Sequence, residues 1–113
     1  MASVNKVILL GNLGSDPDVD TLKTGTKIAK FSLATTHVRK NDRNERVEST
    51  EWHRVTFFGR LAEIAEQYLM KGSSCYVEGR LKTDRWEDSN GQTHYSTQII
   101  GETLQLLGSN MRR

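Results

Sequence analysis

The chain has 113 residues, of which 35% are hydrophobic and 27% charged, and its 16 basic and 14 acidic side chains give a formal net charge of +2. This length suits one compact domain, the modest hydrophobic fraction favours further burial by self-association, and the small net charge excludes a histone-like polycation. The single cysteine, Cys75, excludes an intrachain disulfide and a cysteine-rich zinc site, and the lack of a membrane-length apolar run or a secretory cleavage site predicts a cytoplasmic protein.

The first predicted strand is apolar on both faces. It is VNKVILLGNLG at residues 4–14, and such a strand lies in the centre of a sheet or is covered by a partner chain. Residues 16–18, Asp-Pro-Asp, have the composition of a turn. The segment KIAKFSLATT at 27–36 alternates between apolar and polar residues, and the turn residues around Gly25 predict a hairpin that leads into it.

The segment HVRKNDRNERVES at residues 37–49 is highly charged and nearly free of apolar side chains. We expect a mobile loop between the second and third strands. It is either a solvated connection or a flexible basic arm for phosphates, and its acidic residues offset much of the positive potential. Its candidate loop contacts are His37, Arg39, Lys40 and Arg43.

The third strand, EWHRVTFFG at residues 51–59, splits into two unlike sets when it is read with a period of two. One set forms an ordinary half-buried face: His53, Val55 and Phe57. The other set points to solvent: Trp52, Arg54, Thr56 and Phe58. An aromatic ring lies at each end of this exposed face, with a guanidinium between the two rings. Folding alone does not explain why these rings are left in water.

After Gly59 the apolar period becomes that of a helix. Apolar residues recur at i, i+3, i+4, i+7 and i+8 from Leu61, which predicts a helix of about three turns with Lys71 near its end and Gly72 as its stop.

Residues 73–86 return to a period of two, and 94–107 form the last strand, bent at Gly101. The sequence Ser-Asn-Gly at 89–91 between them is a strong hairpin signal. In the fourth strand we expect Cys75, Val77 and Leu81 to face inward.

Five strands with one helix between the third and the fourth predict an all-β fold, the five-stranded Greek-key barrel known as the OB-fold, with a long arm formed by strands four and five. The alternative is a small SH3-like barrel, which does not need a helix in this place. The barrel is expected to span residues 1–108, followed by a short basic end at 109–113.

The outward positions of the third and fourth strands combine aromatic rings with cations. Single-stranded nucleic acid requires this combination, because each base offers a π-face and each linkage carries a negative charge. Neither interaction reads sequence, so little base specificity is expected. The alternative is that the rings pack under a loop or in a subunit contact. The rings are Trp52, Phe58 and Trp86.

No catalytic arrangement is found in the sequence. The three histidines lie on different predicted elements, and no nucleophile triad, phosphate-binding glycine loop or carboxylate pair is present. His53 shares the inward phase of Val55 and is interpreted as a core or interface histidine. We therefore predict no enzyme activity, no cofactor and no metal site.

Three segments carry a resemblance to a known family: VNKVILLGNLGSDPDV, EWHRVTFFGRLAEIAEQYLMKGS and YVEGRLKTDRWEDSNGQ. They closely resemble the core of the bacterial-type single-stranded DNA-binding protein, and the match extends from Val4 to about Leu107. The resemblance implies an OB-fold that forms homotetramers around which single-stranded DNA wraps during replication, recombination and repair.

The resemblance also implies roles for individual residues. Base stacking is implied for Trp52, Phe58 and Trp86. Phosphate contacts are implied for Lys6, Arg54, Arg60, Lys71, Lys82 and Arg85. Subunit contacts through the first strand and the sheet are expected for Val7, Leu9, His53 and Tyr76.

Two departures from the family pattern bear on function. Many relatives have a further tryptophan just after the second strand, where this chain has His37, Val38 and Arg39, so one stacking position is lost or partly replaced. The family usually ends in a glycine- and glutamine-rich linker with an acidic tip that recruits repair proteins. This chain stops at Arg113 without one, so no recruitment through a tail is expected from it.

Two other functions are considered. One is a replication-restart adaptor that binds single strands weakly and a protein partner strongly. The other is an OB-fold nuclease, for which clustered ligands are lacking. The sequence leaves DNA against RNA open, because a stacking surface accepts both sugars.

Overall fold

The fold is given by a computed structural model that describes residues 1–108; the predicted basic end at 109–113 lies outside the described residues. Six strands and one helix follow one another along the chain. They are β1 (Val7–Leu13), β2 (Asp18–Thr21), β3 (Lys27–Lys40), β4 (Arg46–Phe58), α1 (Arg60–Tyr68), β5 (Ser74–Glu87) and β6 (Thr93–Leu107).

Five of the strands close into a barrel. β1 pairs with β5, β5 with β6 and β3 with β4 in antiparallel fashion, whereas β4 and β6 pair in parallel through Val55↔Ile99 and Thr56↔Ile100. The ring closes where β3 pairs with the end of β1 at Asn12↔Ala34. This confirms the predicted five-stranded barrel, with α1 inserted before β5.

The extra strand, β2, pairs only with β3. Its four pairs, from Asp18↔Lys30 to Thr21↔Lys27, form the hairpin that was predicted around Gly25, whose φ is 91°. Residues 14–17 separate β2 from β1, so the first strand of the barrel is interrupted at the predicted turn.

The barrel core consists of the inward residues of the five barrel strands together with one face of α1. Burial raises the pKa of the Cys75 thiol to about 11. Fully burying a large apolar side chain contributes roughly 1.5–3 kcal/mol, so the alternating residues of β3, β4 and β5 specify the register. The core residues are Leu13, Ala29, Phe31, Leu33, Val55, Phe57, Ala62, Ala65, Leu69, Cys75, Val77 and Ile99.

Two residues depart from the predicted alternation. Leu81 is 48% exposed although it shares the inward phase of Val77, because beyond Gly79 strand β5 extends past the barrel and has no interior to face. Thr56 was expected on the exposed face but is buried beside β6, which pairs with β4 at Thr56↔Ile100, and its hydroxyl donates a hydrogen bond to Gln98.

The helix is shorter than predicted. It ends at Tyr68, and Leu69 beyond it is extended, with a ψ of 144°. Gly72, with a φ of 90°, therefore serves the turn closed by the Ser73 N–H and the Met70 carbonyl rather than the helix end. The buried face of α1 is formed by Ala62 and Ala65, so the predicted place of Tyr68 on that face is wrong.

The predicted mobile loop at 37–49 is instead a β-ribbon. Strands β3 and β4 stay paired out to Lys40↔Arg46, and only five residues remain for the turn. The Asn41 side-chain oxygen accepts the N–H groups of Arg43 and Glu45 and closes this turn. The apolar pattern missed the ribbon because both of its faces are polar and exposed, so no buried face marks the strands.

The predicted arm is formed by β5 and β6, which pair as far as Glu87↔Thr93. At its turn the Asp88 carboxylate accepts the N–H groups of Asn90 and Gln92. A register shift follows Glu78, where Gly79 lies opposite Gly101, so the strand is irregular at the predicted bend. A Cβ atom on Gly101 would lie 2.2 Å from the Phe57 ring, which explains the glycine there.

Candidate nucleic-acid interface

The three predicted stacking rings are all open to solvent. Trp52 is 59% exposed, Phe58 44% and Trp86 50%. Trp52 and Phe58 lie on the outer face of β4, about 20 Å apart at roughly 3.3 Å per residue. Trp86 lies near the end of the arm. None of the rings is enclosed by the barrel, so each has surface available for a base.

The Trp52 indole packs against a backbone position without a side chain. A Cβ atom on Gly14 would lie 2.4 Å from Cζ3 of the indole. Gly14 directly follows β1 and was interpreted only as a strand-end position. It lets the ring lie against the end of the first strand while most of the ring surface remains exposed.

The Trp86 indole is stacked on the imidazole of His94 across the arm. Their ring centroids are 5.5 Å apart and the ring planes differ by 22°. The imidazole Nε2 is 2.7 Å from Asp88 Oδ2, and this contact is the main cause that lowers the pKa of the Asp88 carboxyl. One face of the indole is therefore supported by the protein, which leaves the other face for a ligand.

A cleft of about 430 Å³ lies between the outer face of β3 and β4 and the arm. Arg54 and Lys30 bring positive charge to it beside the carboxylates of Asp16, Asp18 and Asp84, and Trp86 brings the ring. Such a groove, with cations beside an aromatic surface, fits an unpaired strand. The cleft is lined by Ser15, Asp16, Asp18, Lys30, Phe31, Ser32, Arg54, Val55, Thr56, Asp84, Trp86, Ser96 and Gln98.

A chain of hydrogen bonds joins the arm to the barrel at this cleft. Thr56 Oγ1 donates to Gln98 Oε1 at 2.5 Å, and Gln98 Nε2 donates to Asp84 Oδ2 at 2.8 Å. Lys82 Nζ donates to Asp84 Oδ1 at 2.5 Å. The bonds from Lys82 and Gln98 lower the pKa of the Asp84 carboxyl. These contacts set the position of the arm, and with it that of Trp86.

The cations predicted to contact phosphates fall into two groups. Lys6 is 2.7 Å from Glu78, which raises the pKa of Lys6, and Lys82 is bonded to Asp84. Within residues 1–108 the other four are in no ion pair, so a phosphate does not have to displace a carboxylate from them. They are Arg54, Arg60, Lys71 and Arg85.

The cations of the first group, Lys6 and Lys82, are less suited to bind phosphate, because a phosphate must compete with their acidic partners. Of the second group, Arg54 lines the cleft directly. The Lys71 backbone N–H donates to Asp16 Oδ1 at 2.8 Å, and Asp16 lines the same cleft, so Lys71 lies near its rim.

The candidate loop contacts lie on the β3–β4 ribbon and its turn, where all of them except the turn residue Arg43 belong to β3. All four are exposed. Because the two strands of the ribbon are paired, they hold these side chains in fixed positions, which a mobile loop would not. They are His37, Arg39, Lys40 and Arg43.

The two residues of the first strand that are predicted to make subunit contacts face the barrel, and their neighbours face outward. Val7 and Leu9 are half-buried and pack against the barrel core. Their neighbours Ile8 and Leu10 are 59% and 63% exposed. The apolar outer face of β1 therefore belongs to Ile8 and Leu10, since alternate residues of a strand point to opposite faces.

The other two expected subunit contacts have partners within the chain. His53 is half-buried and its Nε2 lies 2.8 Å from Thr35 Oγ1, which agrees with a satisfied histidine on the inner phase. The Tyr76 hydroxyl donates to Glu78, and this bond is the main cause that raises the pKa of Tyr76. Tyr76 lies opposite Leu10.

Sequence reasoning missed several residues of this region. Lys30 was placed outward but given no role, and it lines the cleft beside Arg54. Gln98 and His94 act through contacts across the arm, which no pattern within one strand reveals. Tyr95, which is 66% exposed, could have been found from the alternation of the last strand.

Across residues 1–108, no group of three or more His, Cys, Asp and Glu side chains is arranged to hold a metal ion. In the same part of the chain, no helix has the length and apolar character needed to cross a membrane.

Comparison with known proteins places these features in a family. Residues 4–107 match the model of the single-strand binding protein family. The single-stranded DNA-binding proteins of Xylella fastidiosa and Xanthomonas campestris are each 51% identical to this chain over 105 residues, which is 93% of its length. The chain spans 64% and 61% of these two relatives.

Solved structures show the same fold. The Plasmodium falciparum SSB in complex with ssDNA has a TM-score of 0.85 and 36% identity, covering 96% of this chain and 98% of that chain. A deletion mutant of the single-stranded DNA binding protein from Thermus aquaticus has a TM-score of 0.81 and 30% identity, covering 94% of this chain and 51% of that chain.

Proposed function

Because the chain belongs to the single-strand binding protein family, we propose that it binds and protects single-stranded DNA without sequence preference and without catalysing a reaction. Relatives named for single-stranded DNA binding, and a solved relative in complex with ssDNA, support this substrate. The processes served are replication, recombination and repair, which places the protein with the nucleoid in the cytoplasm.

The observation that carries the proposal is the exposure of three rings beside cations that have no acidic partner. A protein loses stability by leaving Trp52 and Trp86 half in water, since their burial would be favourable. Stacking of bases on the rings offsets this cost at roughly 1–3 kcal/mol per base. Arg54, which lines the cleft next to Trp86, supplies positive charge for the backbone.

The same geometry explains why unpaired strands are preferred. In a duplex the base faces are already stacked on one another, so the rings have nothing to bind. In a single strand they are free, and the phosphates carry the charge that Arg54 and Lys30 attract. Because a stacked ring accepts each base and a cation accepts each phosphate, affinity should depend on salt more than on sequence.

Tryptophan fluorescence tests the proposal, because the chain has only two tryptophans and both lie on this surface. Titration with oligo-dT should quench the emission strongly in the wild type. Trp52→Ala and Trp86→Ala should each reduce the quenching and lower the affinity by roughly 1–3 kcal/mol.

The control is Tyr68→Ala, which removes an exposed ring that lines neither the cleft nor the arm. It should leave the affinity unchanged. Full affinity in both tryptophan variants, measured at the same salt concentration, would eliminate stacking as the basis of binding.

We also propose that the protein is a homotetramer, joined first through β1. Along Val7–Leu10 one edge of β1 pairs with β5, whereas no strand of the described residues pairs with its other edge. A free edge next to exposed Ile8 and Leu10 is a ready template for a second copy. Several linked faces would raise the effective concentration of binding sites along one strand.

A further inference from the structure

The arm has a second face, on which only Arg85 has so far been given a contact with the strand. Alternation along β5 and β6 sends Lys82, Asp84 and Trp86 to the cleft described above. The opposite face carries the intervening residues. They are Leu81, Thr83, Arg85 and Glu87 on β5, and Thr93, Tyr95 and Thr97 on β6.

Tyr95 is the most exposed aromatic side chain of the molecule, at 66%, above Trp52 at 59%. It lies directly opposite Arg85 in the β5–β6 register. Side chains of directly opposed residues are about 5 Å apart at Cβ, so Tyr95 and Arg85 start from neighbouring positions on the same face. Within residues 1–108 Arg85 is in no ion pair, and its charge is available. This pair repeats the combination of ring and cation found on the other face.

The surface between Tyr95 and Trp52 is continuous. A second cleft of about 200 Å³ is lined by Trp52, Leu81, Thr97 and their neighbours. Thr97 is two residues from Tyr95 on the same face of β6, about 7 Å along the strand. Leu81, 48% exposed, adds apolar surface, and the Thr83 and Thr97 hydroxyls are bonded to each other at 3.1 Å. The only acidic side chain on this face of the arm is Glu87, at its outer end.

We propose that Tyr95 and Arg85 form a fourth base-stacking and phosphate-binding position, on the far face of the arm. The proposal rests on the proposed function. A single strand that stacks on Trp52 passes over the second cleft and reaches Tyr95, while Trp86 holds another stretch on the near face. The arm is then bound on both faces. This adds a ring to a chain that has no tryptophan just after the second strand of the barrel.

The occupant is a single strand rather than a protein because of the charge and composition of this face. A cation without an acidic partner beside a ring matches a nucleotide, which offers a phosphate and a π-face together. The face is also continuous with Trp52, a ring already assigned to bases.

The test uses the whole chain and two lengths of oligo-dT. One is short enough to fill only part of the interface, and the other is several tens of nucleotides long. Tyr95→Ala should lower affinity for the long strand at least five-fold, within the roughly 5- to 150-fold range that one stacked base supplies, and should change affinity for the short strand less. Tyr95→Phe, which keeps the ring, should restore the affinity.

A direct readout accompanies the titration. Strands that contain 5-bromouracil, irradiated on the wild-type protein, should give a cross-link to Tyr95 that mass spectrometry locates on the peptide. Tyr68→Ala serves as the control for loss of an exposed tyrosine and should match the wild type on both strands.

Full affinity of Tyr95→Ala for the long strand, without a cross-link at residue 95, would overturn the proposal. A change in the mass of the free protein in Tyr95→Ala, with strand affinity intact, would overturn it in favour of a contact between copies. Failure of the proposed function looks different, since the wild type would then not bind either strand, or Trp52→Ala and Trp86→Ala would bind as the wild type does.

Discussion

At the scale of single residues, the surface depends on which side chains are missing as well as on which are present. Gly14 leaves the space in which Trp52 lies, although it has no side chain with which to contact the ring. His94 supports Trp86 from behind and takes no part in the face that a base would contact. Rings that the protein holds in place lose less conformational freedom on binding, which makes stacking more favourable.

The role of Gly14 can be tested by adding one methyl group. In Gly14→Ala the new Cβ would lie 2.4 Å from the Trp52 ring, so the indole must move. We expect a shift in the tryptophan emission and a loss of up to about 3 kcal/mol in affinity for oligo-dT.

A double-mutant cycle identifies the cause of that loss. If Gly14→Ala acts through the ring, it should have no effect on affinity in a Trp52→Ala background. An equal loss in both backgrounds would mean that the backbone at the end of β1, and not the indole, was disturbed.

At the scale of elements, the two long hairpins differ in how they are attached to the barrel. The β3–β4 ribbon is an uninterrupted continuation of barrel strands. In the arm, β6 pairs with β4 only at Ile99 and Ile100. From Gln98 towards the turn at Asp88, the β5–β6 hairpin therefore leaves the barrel. The hydrogen bonds of Gln98 to Thr56 and Asp84 are therefore the main polar link between the arm and the barrel face.

Removing this link should loosen the arm without unfolding the barrel. Gln98→Ala takes away one bond to the Thr56 hydroxyl and one to the Asp84 carboxylate. Amide hydrogen exchange should become faster in the outer part of β5 and β6 and stay unchanged in β1, and quenching at Trp86 should fall.

The matched control is Gln105→Ala, an exposed glutamine on the same strand. It should leave exchange in the arm as in the wild type. Equal exchange in the two variants would show that the arm is held by its own strand pairing alone.

The link should also depend on pH in a defined direction. The bonds that Asp84 accepts from Lys82 and Gln98, one on each carboxyl oxygen, are strongest when the carboxyl is ionised, and they lower its pKa from the ordinary 3.8. A carboxyl with a lowered pKa stabilises the folded state above its unfolded pKa, and the contribution is lost as the pH falls through the folded value. The arm should therefore be held through the neutral range and loosen only below about pH 4.

At the scale of the whole molecule, the ribbons give the chain an extended outline. Its radius of gyration is 16.5 Å, whereas a compact chain of this length would have about 13 Å. The outer face of β1 lies on the barrel itself, where Ile8 and Leu10 leave apolar surface in water. Such a shape leaves surface exposed that a ligand or another copy can cover.

The proposed assembly can be tested at this strand. A double variant, Ile8→Asp with Leu10→Asp, places charge on the outer face and should shift the molar mass, measured by light scattering after gel filtration, towards the monomer. Each side chain contributes about 1.5–3 kcal/mol if it is fully covered in the assembly. Far-ultraviolet circular dichroism should stay that of the wild type.

Leu9→Ala provides the contrasting variant one residue away. Its side chain packs on the core, so the expected effect is a loss of about 2 kcal/mol in unfolding free energy with the mass retained. A wild-type mass in the double variant would place the subunit contact elsewhere.

The sequence alone predicted the barrel, the place of the helix and the arm, because burial forces a period of two on β3, β4 and β5 and a helical period on α1. It predicted the outward phase of Trp52, Phe58 and Trp86 for the same reason, and their exposure is as expected. Their roles in stacking remain predictions.

Where a segment has no buried face, the pattern of apolar residues predicted little of its structure. The ribbon at 37–49 was expected to be a loop because its polar residues have no buried face to alternate with. Leu81 was expected inside because alternation does not show where a strand leaves the barrel. Local order thus followed from periodicity, whereas the ends of the elements depended on their neighbours in space.

The sequence by itself therefore determined the resemblance to the family, through its motifs, and the barrel with the outward phase of Trp52, Phe58 and Trp86, through the spacing of its apolar residues. Only the tertiary structure decided that Gly14 makes room for Trp52, that His94 supports Trp86, that Gln98 ties the arm to the barrel and that Tyr95 lies opposite Arg85. Each of these is a contact between residues distant in sequence or on separate strands, and such contacts exist only once the register of the strands is fixed.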